Sequence, residues 1–184
     1  PMLLLGQNIA NKTLGVIGLG RIGKAVVKRA RGFDMPILYY DTIREMNFET
    51  ETNAKFVSLE ELLKNSDFVS IHVPLLPATR HLISTKQFNM MKNTSILVNT
   101  SRGPVVDEKA LVQALKKKKI AAAGLDVFEN EPRLSPGLAK LNNVVIVPHI
   151  ATATIETRSA MAELAAKNIL AVLEGKQPLT PVGK

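Results

Sequence analysis

Short apolar runs rich in β-branched residues alternate along the chain with longer stretches whose apolar positions recur every three or four residues. The runs at 14–17, 37–40, 68–73, 96–99, 121–126 and 144–147 carry apolar residues on both faces, as strands buried in a parallel sheet do. Between the first two, Ile22, Ala25, Val26, Arg29, Ala30 and Phe33 recur at helical spacing and make one largely apolar stripe. Ser58 with Glu61, and Ser84 with Gln87, have the spacing of capping boxes. Asp107 stands where it can cap the stretch that runs to the lysines at 116–119. The stretch 154–173 puts Met161, Leu164, Ala165, Ile169 and Val172 on one helix face, with Gly175 to end it and Pro178 beyond. Strand–helix alternation of this kind predicts an α/β fold of one domain, a doubly wound parallel sheet with helices on both faces. Residues 1–12 and 175–184 read as connections rather than core.

The composition narrows the function classes. With 46% apolar and 22% charged residues in 184, neither disorder nor a fibrous repeat fits. Cysteine is absent, which excludes disulfides, thiolate zinc sites and a cysteine nucleophile, and no metal site is expected. The apolar run at 2–5 meets Gly6, far short of the ~18 residues a membrane helix needs. The chain shows no basic leader with a small-residue cleavage site, so a cytoplasmic protein without a membrane partner is expected. The net charge is +8, but Lys and Arg are spread along the chain apart from 116–119, and only six Phe and two Tyr are present. That distribution argues against a nucleic-acid surface, and the positive balance suits small anionic ligands.

Gly18-Leu19-Gly20-Arg21-Ile22-Gly23 is a G-x-G-x-x-G turn between the first predicted strand and its helix, the context in which the motif marks a Rossmann-type dinucleotide site. Gly18 permits the tight turn, Gly20 lets backbone approach a pyrophosphate, and Gly23 lets the helix lie close on the strand. The helix N-terminus offers N–H groups and a partial positive charge to the diphosphate, and Arg21 adds a formal charge. Asp41 ends the second predicted strand at about the 20-residue distance the fingerprint asks for. A carboxylate there accepts from the ribose hydroxyls and repels a 2′-phosphate, which favours NAD over NADP. As an alternative, Asp41 only caps a strand end. Arg44 lies close by, so preference rather than exclusivity is expected.

Three further segments follow predicted strands: Asn99 to Pro104, Asp126 to Pro132, and Pro148 to Ala151. In an open α/β sheet, ligands bind at that carboxyl edge. Arg102 can clamp a carboxylate with two parallel hydrogen bonds, and His149 beside a carboxylate can give and take a proton. Taken singly, each also admits a structural role: Arg102 as a surface ion-pair partner, Glu131 as a turn residue, His149 as a core histidine. His72 and His81 are read as structural.

Together these segments resemble the D-isomer-specific 2-hydroxyacid dehydrogenase family, which includes glyoxylate/hydroxypyruvate reductases and phosphoglycerate dehydrogenase. The matching pieces are GLGRIG at 18–23, HVPLLPATRHLI at 72–83, NTSRGPVVDEKAL at 99–111, GLDVFENEP at 124–132 and PHIATAT at 148–154. One small departure is Ala151-Thr152, where many relatives carry Ala-Ser. The resemblance implies that Arg102 holds the substrate carboxylate and keto oxygen, that His149 moves a proton at that oxygen, and that Glu131 hydrogen-bonds the imidazole. It also implies cofactor contacts at Val73, Thr100, Ser101 and Asp126. Relatives have two domains and dimerise, so the resemblance implies a homodimer. It also implies that this chain is an NAD-binding domain without its substrate domain, binding NAD while turning over a 2-keto or 2-hydroxy acid poorly. Corepressors within the family leave a nucleotide-sensing interaction module as the alternative.

Overall fold

A computed structural model describes residues 6–182; the apolar run at 2–5 and residues 183–184 lie outside the described residues. The chain divides into two compact units, one running to Pro148 and the other starting at His149.

The first unit is built on seven strands: β1 (Leu14–Ile17), β2 (Ile37–Tyr40), β3 (Lys55–Phe56), β4 (Phe68–Ile71), β5 (Ile96–Asn99), β6 (Ala122–Leu125) and β7 (Val144–Ile146). Its helices are α1 (Arg21–Ala30), α2 (Met46–Thr52), α3 (Leu59–Asn65), α4 (Thr85–Phe88) and α5 (Glu108–Lys116). The strands order as β3-β2-β1-β4-β5-β6-β7, and every neighbouring pair is parallel. This is the doubly wound Rossmann arrangement, with the order reversing between β1 and β4 and so opening a crevice at the carboxyl ends of those strands.

The alternation of side chains along a strand explains why both faces are covered. Leu14 and Val16 join Val27, Ala30, Ile37, Tyr39 and Phe48 in one apolar cluster. Ile17, their neighbour in β1, joins Leu62, Val69, Ile71, Leu97, Leu111 and Leu115 in the other. The expected strands at 14–17, 37–40 and 96–99 keep their bounds, whereas those at 68–73, 121–126 and 144–147 stop earlier at their carboxyl ends. Past those ends the ladder continues through single bonds such as His72 N to Ile17 O (2.7 Å) and Val147 N to Leu125 O (3.0 Å). The expected caps are present: Ser58 Oγ accepts from Glu61 N (3.1 Å), and Asp107 Oδ1 accepts from Ala110 N (3.0 Å). The backbone N–H of Ser84 donates to Gln87 Oε1 (3.3 Å). Helix α2 and the short edge strand β3 lie outside the elements that the apolar pattern predicts.

The second unit carries α6 (Ile155–Leu173), capped by Thr154, whose Oγ1 accepts from Thr157 N at 3.1 Å. Gly175 follows it at φ 73°. The segment beyond, expected as a plain connection, turns back on the helix: Asn168 Nδ2 donates to Thr180 Oγ1 (2.9 Å) and Thr180 N to Asn168 Oδ1 (3.0 Å). Among the described residues no helix is long and apolar enough to cross a membrane.

Candidate functional site

The glycine turn leaves β1 at Gly18, whose φ of 94° lies in the region that L side chains rarely adopt. A side chain there would also stand 2.8 Å from the Val73 nitrogen, so the turn is held against the end of β4 by the absence of one. Gly18 N donates to Tyr40 O at 2.8 Å, which ties the turn to β2. Gly20 is the N-cap of α1, and a Cβ on it would meet nothing within 4 Å. That open approach to the first turn of α1, which contains no acidic residue, fits an anionic diphosphate.

Asp41 serves the turn itself: its Oδ2 accepts from Leu19 N at 2.6 Å, and its Oδ1 accepts from Thr42 N at 2.6 Å. The strand-end role left open by the sequence is therefore present. Oδ1 accepts from the Thr42 hydroxyl as well, at 3.2 Å, and the second lone pair of Oδ2 leaves capacity for a ribose hydroxyl. Arg44 is turned to Glu49, with Nε to Oε1 at 2.9 Å and Nη2 to Oε2 at 2.8 Å.

Arg21, Ile22, Val73, Thr100, Ser101 and Arg102 line one cleft of about 590 Å³, together with His72, Pro74 and Leu75. The fold thus brings the nucleotide turn and the loop after β5 to one opening. Within 72–75 the resemblance implies a cofactor contact only at Val73, although the matching piece at 72–83 covers the whole stretch. His72 is half-buried, its Nε2 lies 2.9 Å from Ser70 Oγ, and burial pushes its pKa below the usual histidine value. The loop after β5 is organised by the buried Asn99: Ser101 N donates to its Oδ1 (3.0 Å), and its Nδ2 donates to Arg102 O (3.0 Å). Arg102 is exposed and its Nη1 donates to Ser101 O at 2.6 Å. The ion pairs of the described residues do not include it, so its fork is not committed to a surface carboxylate.

The loop after β6 carries the buried Asp126 and the exposed Glu131. Glu131 Oε1 accepts from Phe128 N at 3.0 Å. Two buried contacts fix this loop. Gly103 abuts the Phe128 carbonyl so closely that any Cβ would overlap it. Glu108, 2% exposed at the start of α5, turns its carboxylate to the loop and accepts from Glu129 N and from Ser135 N, the latter at 3.1 Å. The segments bearing Arg102 and Glu131 are thereby locked side by side. Glu129 accepts in turn from Glu108 N at 3.3 Å and meets His81 Nε2 at 2.7 Å, which gives His81 the structural place expected of it. His149 opens the second unit with φ 54°, and Ile150 O accepts from Ala153 N at 2.9 Å on the approach to α6.

Comparison with known proteins agrees with this geometry. A family profile described as D-isomer specific 2-hydroxyacid dehydrogenase, NAD binding domain, matches residues 2–151. A glyoxylate reductase of Korarchaeum cryptofilum is 56% identical over 180 residues, covering 97% of this chain and 54% of that protein. The crystal structure of a glyoxylate reductase from Paecilomyes thermophila superposes with a TM-score of 0.90 at 43% identity, over 97% of this chain and 54% of that one. D-lactate dehydrogenase from Lactobacillus jensenii, solved with NAD+, gives 0.87 at 34% identity over 100% and 59%. The chain spans about half the length of these relatives. A parallel sheet with a glycine turn at its switch point and a match this long leave no doubt of kinship: the chain belongs to the D-isomer-specific 2-hydroxyacid dehydrogenase family and corresponds to its NAD-binding domain.

Proposed function

We propose that the chain is the cofactor-carrying half of an enzyme interconverting a 2-keto acid and a D-2-hydroxy acid, with glyoxylate or hydroxypyruvate as substrate ahead of phosphoglycerate, and with NAD preferred over NADP. The observation that carries this reading is the cleft in which Arg21 and Ile22 of the nucleotide turn share walls with Arg102. Reduction of a 2-keto acid needs an anion clamp, an oriented carbonyl and a proton for its oxygen. Bound NAD(H) supplies or takes the hydride, and the protein does the rest. Arg102 offers a fork for the carboxylate. His149 gives or takes the proton at the keto oxygen, with Glu131 as the carboxylate that orients the imidazole. Those three roles, and cofactor contacts at Gly18, Gly20, Gly23, Asp41, Thr100, Ser101 and Asp126, rest on the motif match. The preference for NAD is supported by the carboxylate of Asp41 at the end of β2 and by the commitment of Arg44 to Glu49. A cytoplasmic homodimer belongs to the same reading and rests on the resemblance; sedimentation showing only monomer at high concentration would remove it. The corepressor-type alternative finds no support in the relatives compared.

The test is a fluorescence titration of the 184-residue protein with NADH and NADPH. NADH is expected to bind more tightly. Asp41→Asn, which keeps an acceptor for Leu19 N–H while losing the charge, is expected to weaken NADH by about tenfold and narrow the difference. Absence of NADH binding at millimolar concentration overturns the reading. Glyoxylate turnover by these residues alone is expected to be slight, because relatives are about twice as long and substrate positioning needs both walls of a cleft. Turnover near an ordinary enzyme's ~10 per second refutes that part.

A further inference from the structure

Beyond Asp41 the chain holds a phosphate-reading side chain in a locked position. Arg44 lies between β2 and α2, and both its Nε and Nη2 donate to the carboxylate of Glu49, at 2.9 and 2.8 Å. Glu49 in turn is fixed from below. Tyr39, fully buried in β2, donates its hydroxyl to Glu49 Oε1 at 2.7 Å, and that hydroxyl accepts from Glu45 N at 2.8 Å. The Glu49 side chain is only 16% exposed whereas Arg44 is 56% exposed, so the carboxylate is the anchor and the guanidinium the part that could swing. Arg44 also lies over the Phe56 ring, 6.0 Å from its centre. The chemistry of the groups agrees with a firm lock. The guanidinium and then the Tyr39 hydroxyl pull the Glu49 carboxyl down to about 2, and burial above all pushes the Tyr39 phenol up to about 12. Neither changes charge near neutral pH.

The neighbouring cations are paired in the same way. Lys24 meets Glu45 at 3.0 Å and Lys28 meets Glu51 at 2.8 Å. The rim beyond β2 therefore offers a carboxylate at Asp41, bonded to N–H groups, and cations already matched to acids. A ribose diol suits such a rim and a phosphate does not. Yet an arginine three residues past the ribose-binding carboxylate is the residue type that grips a phosphate, as a planar fork matched to two oxygens.

We propose that Glu49 is a specificity-determining residue, holding Arg44 away from the nucleotide so that the site takes a 2′-hydroxyl, and that release of Arg44 lets it take a 2′-phosphate. This rests on the NAD-binding reading above and names the residue that enforces its preference from outside the cleft.

The experiment compares NADH and NADPH binding by fluorescence titration in the full chain and in Glu49→Gln, Arg44→Ala and the double variant. Glu49→Gln is expected to tighten NADPH by about tenfold, the low end for a charge-assisted contact because Asp41 still opposes the phosphate. NADH is expected to change by less than about threefold, since the diol does not use Arg44. In the double variant the NADPH gain disappears. Arg44→Ala alone leaves both affinities within about twofold, because the side chain is already withdrawn. Tyr39→Phe keeps the buried ring and loosens Glu49, and it serves as a second releasing variant with a gain of about threefold should Glu49→Gln fail to fold. Three results overturn the proposal: no NADPH gain in a folded releasing variant, a gain that persists without Arg44, or NADPH weakened about tenfold by Arg44→Ala alone. If the unmodified chain binds neither nucleotide, the NAD-binding reading itself falls. If it binds NADH and only the releasing variants fail, this proposal falls alone.

Discussion

Substituting Gly103 by alanine adds a single methyl group, and its cost can be worked from the surroundings. The new Cβ would overlap the carbonyl of Phe128 and stand 2.5 Å from Glu129 N. Ordinary contact lies near 3.5–4.0 Å, so the two backbones must part by about 1 Å or more. Neither side yields easily. Phe128 is 7% exposed and its N–H is held by Glu131 at 3.0 Å. Glu129 N is held by the buried Glu108 carboxylate. Gly103 itself accepts from Val106 N at 3.0 Å within a 3-10 turn. Overpacking of this kind costs about 1–3 kcal/mol, and tearing Glu129 N from a buried carboxylate adds about 1.5–3 kcal/mol. A loss of about 2.5–6 kcal/mol is therefore expected, a large part of a domain's ~5–15 kcal/mol. Urea unfolding followed by circular dichroism reads it as a lowered midpoint with unchanged slope. A cycle with Glu108→Ala sharpens the test. Once Glu129 N is released the loop can move aside, so the two effects should fall short of additivity by about 1 kcal/mol or more. Stability within ~0.5 kcal/mol of the unmodified protein, or strict additivity, would refute the claim that this contact locks the two loops together.

Two further expectations follow from the titratable groups. Asp107→Ala removes acceptors for Ala110 N and for the Ser84 hydroxyl, both at 3.0 Å, and should cost about 1–2 kcal/mol at neutral pH. Burial pushes the Asp107 carboxyl up, but those hydrogen bonds outweigh it and hold it below its ordinary value. The difference between the two proteins should thus be full above pH ~4 and shrink as the pH falls lower; a difference constant down to pH 2 contradicts it. His72, depressed by burial, takes up a proton more readily when unfolded. Its contribution to stability is present above pH ~6.5 and is lost as the pH falls toward the lower folded value. His72→Gln should flatten the stability profile between pH 7 and pH 5, and parallel profiles for the two proteins contradict it.

Strands and caps were legible where local pattern alone decides them. Residues 14–17, 37–40 and 96–98 are apolar at successive positions because both faces of the sheet are covered, and they lie in β1, β2 and β5. Asp107 and Ser58 cap helices with bonds spanning three residues, so their neighbours suffice to identify them. Helix α2 and strand β3 escaped for the opposite reason. Of α2 only Phe48 and Thr52 are buried, and both residues of β3 are exposed, so no hydrophobic periodicity announces them.

The amino-acid sequence by itself determined the family, the sheet and the glycine turn, because each is encoded by short-range features: residue type at fixed spacing, and the period of apolar positions. The motif pieces also named the residues on which the chemistry would rest. Tertiary structure alone decided which residues distant in the chain meet. Gly103 meets Phe128, Glu108 reaches Glu129 and Ser135, and Asp67 is paired with Lys92 at 2.8 Å, all between positions far apart in the chain. Arg44 shows the difference most directly. In sequence it is a cation three residues past Asp41, but α2 brings Glu49 back beneath it, so the fork is committed to a two-pronged ion pair instead of standing open.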